Sequence, residues 1–307
     1  TGVHYYDSIG REQSVSAKTY VVACQAVETS RLLLASKGEK FPKGLANNNG
    51  QVGKNLLFSG GGTGSGDFLF NELSDKQVNE LKQVGPFINR ALQDWYKIDD
   101  KDFVGANAQG KAKGGTIDFL FHQNPIARAR GTQWGNDEQG NDKLLWGEEL
   151  KQSMKQKFTS YKTLRFEVFN DWLPTDDCFV ALDDEVTDKW GDPVAKVRIG
   201  YHHHDLDVGA YLSQKAEKLL VALGAKNIDS SVSGYPATNL MAGGCRFGND
   251  PKTSVLNKNC RAHEVDNLYV TDGSFMPTGG SVPYTFTIYA NAFRVAEHIK
   301  NEWQQSV

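Results

Sequence analysis

The chain has 307 residues, with 34 Lys and Arg against 37 Asp and Glu and a formal net charge of −3. That length suffices for two ordinary domains of about 100 to 200 residues each. The charge balance leaves no broad basic surface to neutralise phosphates, which argues against a nucleic-acid partner, and no run approaches the roughly 18 consecutive apolar residues of a spanning helix.

In chain order, residues 3–22 read as two strands joined by a turn at Ser8-Ile9-Gly10-Arg11, the second ending in the apolar TYVVAC. Ala26, Val27, Leu32, Leu33 and Leu34 then take helical spacing, and Gly38 supplies a stop. A short buried strand feeding a helix is the kind of β-α edge on which α/β proteins hold ligands. From about residue 59 to 237 the texture turns aromatic and alternating, in TIDFLF, TLRFEVF and CFVALD, which predicts an antiparallel sheet covered by helices. Residues 75–84 and 86–96 are expected helices, 135–142 an exposed loop, and 212–223 a surface helix stopped by Gly224. The chain closes with a strand over 267–271, a Gly-rich turn and a helix from Pro283 to about residue 302, with Ser281 as its expected cap.

The first seven residues show no basic segment followed by an apolar one, so no signal peptide is read there, although export through a precursor or a partner stays open. Cys24, Cys178, Cys245 and Cys260 lack CxxC spacing; they read as structural thiols, with a Cys245–Cys260 disulfide as the alternative. No GxGxxG follows a strand, and Gly60-Gly61-Gly62 and Gly64 lack the helix that a phosphate cradle needs.

Three stretches resemble the glucose-methanol-choline (GMC) oxidoreductases: YVVACQAVETSRLLLAS at 20–36, NNGQVGKNLLF at 48–58, and the block at 243–299 that contains GGCRFGND, VTDGSFMP and PYTFTIYA. Phrases at 89–96 and 123–126 are similar to bacterial gluconate and fructose dehydrogenase large subunits. The resemblance implies the C-terminal portion of the GMC flavoprotein fold, of mixed α+β and α/β class. Residues 1–58 and 238–307 would form part of an FAD-binding domain, and 59–237 an antiparallel-sheet substrate domain. It implies FAD as cofactor, held by Ala23, Cys24, Thr29, Asn55, Asp272, Gly273, Pro283, Tyr284 and Thr285. The glycine of Asp272-Gly273 lets backbone N–H groups approach an anionic group, and the positive end of the last helix suits a reduced flavin.

Such enzymes pass hydride from an alcohol to the flavin while a base, usually His, takes the proton. Here the base position falls on Leu240 and its neighbour's on Pro283, and neither accepts a proton. Asn239 and Tyr284 stand beside them as candidate catalytic residues, with His203 of the run His202-His203-His204 as a candidate base; at most two of that run reach one site from a strand. His122 is a weaker pocket candidate, His263 and His298 read as surface residues, Cys245 as a buried thiol rather than a flavin contact, and no metal site is expected. The implied function is oxidation of an alcohol group of sugar or sugar-acid type, with electrons passed to a quinone or cytochrome. The alternatives are a non-catalytic subunit of the same fold and, more remotely, a flavin enzyme of lyase or isomerase chemistry. The ADP-holding segment of the family is not in this sequence. An N-terminal FAD-binding half is therefore an expected partner, as a separate or cleaved polypeptide, together with a cytochrome or small subunit and an exported or periplasmic location, cytoplasmic being the alternative.

Overall fold

The computed structural model describes residues 2–85, 89–101, 103, 111–121, 125–235 and 240–305. Strands β1 (Val3–Tyr6), β2 (Glu12–Val15) and β3 (Tyr20–Val22) precede helix α1 (Ala26–Ala35) and strand β4 (Leu56–Phe58). There follow β5 (Gly62–Leu69), α2 (Asp75–Gln83), β6 (Asn89–Leu92), β7 (Lys97–Asp99), β8 (Lys111–Lys113), β9 (Gly115–Phe121), α3 (Pro125–Ala129), β10 (Trp134–Asn136), β11 (Asp142–Leu144), α4 (Gly147–Thr159) and β12 (Tyr161–Asn170). The remainder holds β13 (Phe179–Thr187), β14 (Pro193–Arg198), α5 (His203–Ala222), β15 (Lys226–Val232), β16 (Met241–Gly243), β17 (Leu268–Val270) and α6 (Thr285–Gln305). None of the described helices is long and apolar enough to cross a membrane.

Two compact units result. The first comprises Thr1–Ser59, Trp172–His202 and Ala237–Val307. In it β17 pairs parallel to β3, Leu268 opposite Tyr20 and Val270 opposite Val22, while β16 pairs antiparallel to β4. Alternation along β4 feeds two cores at once. Leu57 packs with Leu33, Leu256, Val270, Phe275 and Val295, whereas Leu56 and Phe58 pack with Ala26, Trp172, Cys178 and Val180. All three side chains are fully buried, and each contributes roughly 1.5–3 kcal/mol on this account.

The second unit, Gly60–Asp171 with His203–Pro236, is built on a five-stranded antiparallel sheet in the order β15-β5-β12-β9-β6. Helix α5 lays Val208, Leu212, Ala216 and Leu220 against Leu164, Phe166 and Val168 of β12. Gly62 permits that approach, since a Cβ there would stand 2.0 Å from Ser213 Oγ.

Several expectations change. The apolar TYVVAC is not the second half of the first hairpin: β1 pairs with β2, and the Tyr20–Val22 strand joins β17 instead. Residues 179–183 of CFVALD lie in β13, which pairs with β14, and Trp172–His202 folds with the first unit rather than with the 59–237 segment. The helix expected at 86–96 is absent, because Asn89–Leu92 pairs with β9 and Tyr96 closes a turn onto Gln93; residues 86–88 lie outside the described set. Its helical spacing was overridden by a sheet edge seeking a partner. Of the 135–142 loop only the tip is irregular: Trp134–Asn136 pairs with Asp142–Leu144, and the Asp137 carboxylate accepts the Gln139 and Asn141 N–H groups. The helix predicted at 212–223 begins at His203, so the histidine run is a helix start and not a strand end. Helix α6 begins at Thr285, with the Tyr284 carbonyl accepting the Ile288 N–H, so Ser281 lies too far upstream to cap it. Cys245 and Cys260 are both buried free thiols, which rules out the disulfide alternative.

Candidate functional site

Because β3 and β17 run parallel, their C-terminal ends come out side by side, and the Thr271 N–H donates to the Val22 carbonyl at 3.0 Å. The chain leaves β3 through exposed Ala23 and Cys24 and enters α1 after Gln25, which takes a left-handed backbone (φ 76°) and caps the helix by accepting the Val27 N–H. One turn in, buried Thr29 accepts the Cys24 N–H at 3.1 Å and donates its hydroxyl proton to the Asp272 carboxylate. The other oxygen of Asp272 accepts the Ser274 N–H at 2.8 Å and so caps the tight turn Gly273–Phe275. One carboxylate therefore ties the two strand ends together.

The second wall is the segment leading into β4. Gly53 donates its N–H to the Gly244 carbonyl at 2.7 Å, and Gly243 and Gly244 both have positive φ. A Cβ on Gly243 would stand 2.1 Å from the Asn55 carbonyl oxygen, so only glycine lets these backbones touch. Asn55 itself is held at φ 55°, is 5% exposed, and its side-chain Nδ2 has no hydrogen-bond partner. A buried amide donor left without an acceptor is costly by about 1–3 kcal/mol, which makes Asn55 a candidate contact for a polar ligand atom.

Leu240, which stands at the position expected for a base, and the Tyr284 side chain both reach the end of β4. The Leu240 carbonyl accepts the Ser59 N–H at 3.3 Å, and the Tyr284 hydroxyl donates to the Phe58 carbonyl. Tyr284 is buried in the core of the first unit with its hydroxyl committed to backbone, while Pro283 and Thr285 are exposed. Cys245 sits beneath the site; burial, and secondarily the negative charge of Asp272, pushes its thiol up to about 12, so it is not a nucleophile at neutral pH.

Of the predicted residues, Ala23, Cys24, Thr29, Asn55, Asp272, Gly273 and Tyr284 all lie in the first unit on the elements just described. His203 belongs to the second unit, exposed on the first turn of α5. Asn239 and His122 lie outside the described residues. His263 is half-buried, its ring within hydrogen-bond distance of Ser254 Oγ and the Gly248 carbonyl, and His298 pairs with Glu302. Among the described residues no group of three or more His, Cys, Asp or Glu side chains is arranged to hold a metal ion. Sequence reasoning missed Ser59, whose buried hydroxyl lacks a partner; it lies one residue beyond the NNGQVGKNLLF stretch, and no composition or periodicity marks it.

Helix α6 carries Phe286, Tyr289 and Phe293 on one face at helical spacing, 87%, 61% and 79% exposed. Exposed aromatic stripes of this kind mark surfaces that another body covers.

Residues 174–292 match the family model of the GMC oxidoreductases. The chain is 28% identical over 100% of its length to 2-methyl-1,2-propanediol dehydrogenase of Mycolicibacterium austroafricanum, covering 52% of that protein. It is 24% identical over 99% of its length to the fructose dehydrogenase large subunit of Gluconobacter japonicus, covering 51% of it. Among solved structures, formate oxidase of Aspergillus oryzae superposes with a TM-score of 0.62 at 14% identity, over 99% of this chain and 58% of that one. The chain thus spans about half the length of the curated relatives it matches. Family match, shared fold and the arrangement at the β3 and β17 ends agree: residues 174–292 match the GMC oxidoreductases, FAD flavoproteins, and the chain is similar in fold to the C-terminal part of such proteins.

Proposed function

We propose that this chain is part of an FAD-dependent dehydrogenase that oxidises an alcohol group on a sugar or sugar-acid type substrate and delivers the electrons to a quinone or cytochrome. The observation that carries the reading is the hydrogen bond by which Thr29 and Asp272 join the ends of β3 and β17, together with the buried amide donor of Asn55 left open in the same unit. Those residues fit a flavin, and Ala23, Cys24, Thr29, Asn55, Asp272 and Gly273 would hold it. FAD, when bound, supplies the acceptor for the substrate's hydride. The chain's own residues fix the site: the Thr29–Asp272 pair locks the strand ends, the glycines bring backbone close, and the start of α6 adds a positive helix terminus. The names of the propanediol and fructose dehydrogenases support an alcohol substrate. The exposed stripe on α6 supports a partner body, which we take to be the ADP-holding half, joined by a cytochrome or small subunit in an exported or periplasmic complex.

Absorbance of the natively purified particle tests the proposal. A flavin spectrum bleached anaerobically by members of a sugar, sugar-acid and diol panel, with recovery on adding a quinone, is the expected result. A second reading, a non-catalytic subunit of the same fold, is favoured by Leu240 and Pro283 at the two proton-handling positions and by the committed Tyr284 hydroxyl. Bound flavin that no panel member bleaches would establish it and sink the dehydrogenase reading.

A further inference from the structure

Ser59 is 6% exposed, and its Oγ has no hydrogen-bond partner. Leaving a buried hydroxyl unsatisfied costs about 1–3 kcal/mol, and alanine at the same place would avoid that penalty. A serine kept there calls for a partner that arrives with a ligand. Its two neighbours define which ligand. The Ser59 N–H donates to the carbonyl of Leu240, and the preceding carbonyl, that of Phe58, accepts the hydroxyl of Tyr284, the residue after Pro283. Ser59 thus stands beside Leu240, one of the two positions where the proposed chemistry expects a proton-handling side chain and where this sequence has none.

We propose that Ser59 Oγ binds the hydroxyl of the alcohol substrate, and so selects and orients it at a site that lacks the usual histidine; this rests on the alcohol-oxidation reading. A serine hydroxyl accepts or donates one hydrogen bond but does not hold a proton removed from an alcohol near neutral pH, so its contribution is to recognition and alignment. No bond to carbon is made or broken by it, and the hydride and proton bookkeeping of the oxidation is unchanged.

The experiment compares wild type, Ser59→Ala and Ser59→Cys in the native flavin-containing particle, with fructose, gluconate and 1,2-propanediol as probes. The expected result for Ser59→Ala is a fall in kcat/KM of about tenfold or more, the equivalent of one net hydrogen bond, carried mainly by KM. Flavin content and unfolding midpoint hold or rise, because an unsatisfied hydroxyl is removed, and Ser59→Cys recovers part of the loss. A kcat/KM within about twofold of wild type overturns the inference. So does a Ser59→Ala variant that loses flavin and stability together, since the hydroxyl would then be structural. If no probe bleaches the wild-type flavin, the dehydrogenase reading fails separately, and Ser59 is judged by the difference spectrum of the oxidised flavin titrated with the same three compounds. Weaker binding in Ser59→Ala then supports a hydroxyl-binding role, and equal or undetectable binding in both proteins overturns it.

Discussion

Replacing Thr29 by valine removes one hydroxyl from a fully buried position while keeping the shape of the side chain. In the native protein that hydroxyl donates to the Asp272 carboxylate and accepts the Cys24 N–H at 3.1 Å. A hydrogen bond to a charged group contributes about 1.5–3 kcal/mol, and the carboxylate of the variant stays buried without that donor. Cys24 is exposed, so water takes over its N–H and adds little to the loss. The net expectation is a loss of about 2–3 kcal/mol. With a slope of roughly 2–3 kcal/mol per molar urea, the unfolding midpoint falls by about 1 M. The two units can unfold separately, so the first is followed through Trp172, which is fully buried there with its indole N–H donating to the Gly200 carbonyl at 2.7 Å. Thr29→Ser keeps the hydroxyl and loses one methyl, an effect of about 1 kcal/mol. A midpoint for Thr29→Val within about 0.2 M of wild type, or a serine variant worse than the valine one, would refute the claim that this hydroxyl joins the strand ends.

Gly243→Ala combines a φ of 73° with a Cβ 2.1 Å from the Asn55 carbonyl, so a loss of about 3 kcal/mol is expected, seen as a Tm drop of roughly 6–12 °C with loss of bound flavin; an unchanged Tm would mean that β4 and β16 are not in this register. Among the thiols, exposed Cys24 should react with a disulfide reagent at pH 8 while Cys178, Cys245 and Cys260 react only on unfolding. Burial raises the Cys245 thiol from 9.0 to about 12, so the folded state keeps a proton that the unfolded chain gives up. The stability involved is intact below about pH 9 and lost as pH climbs towards 12, by up to about 1.4 kcal/mol per pH unit, and Cys245→Ala should flatten that alkaline slope in urea melts.

The sequence by itself determined the features whose causes are local. The Ser74/Gln77 pair forms a capping box that starts α2, and Gly224 sits at φ 84° and ends the turn after α5. These follow from a few neighbouring residues, and a chain can be read a few residues at a time. Strand partnership cannot. Residues 89–92 have the spacing of a helix and became a strand because β9 offered an unpaired edge, and CFVALD alternates like the second unit's strands yet pairs with β14 in the first.

Only the tertiary structure joined Thr29 to Asp272, 243 residues apart, committed the Tyr284 hydroxyl to Phe58, and left Asn55 and Ser59 with polar atoms that nothing satisfies. Whether a polar atom is satisfied is defined only once burial and every nearby donor and acceptor are known, and those are properties of the packed chain rather than of any segment of it.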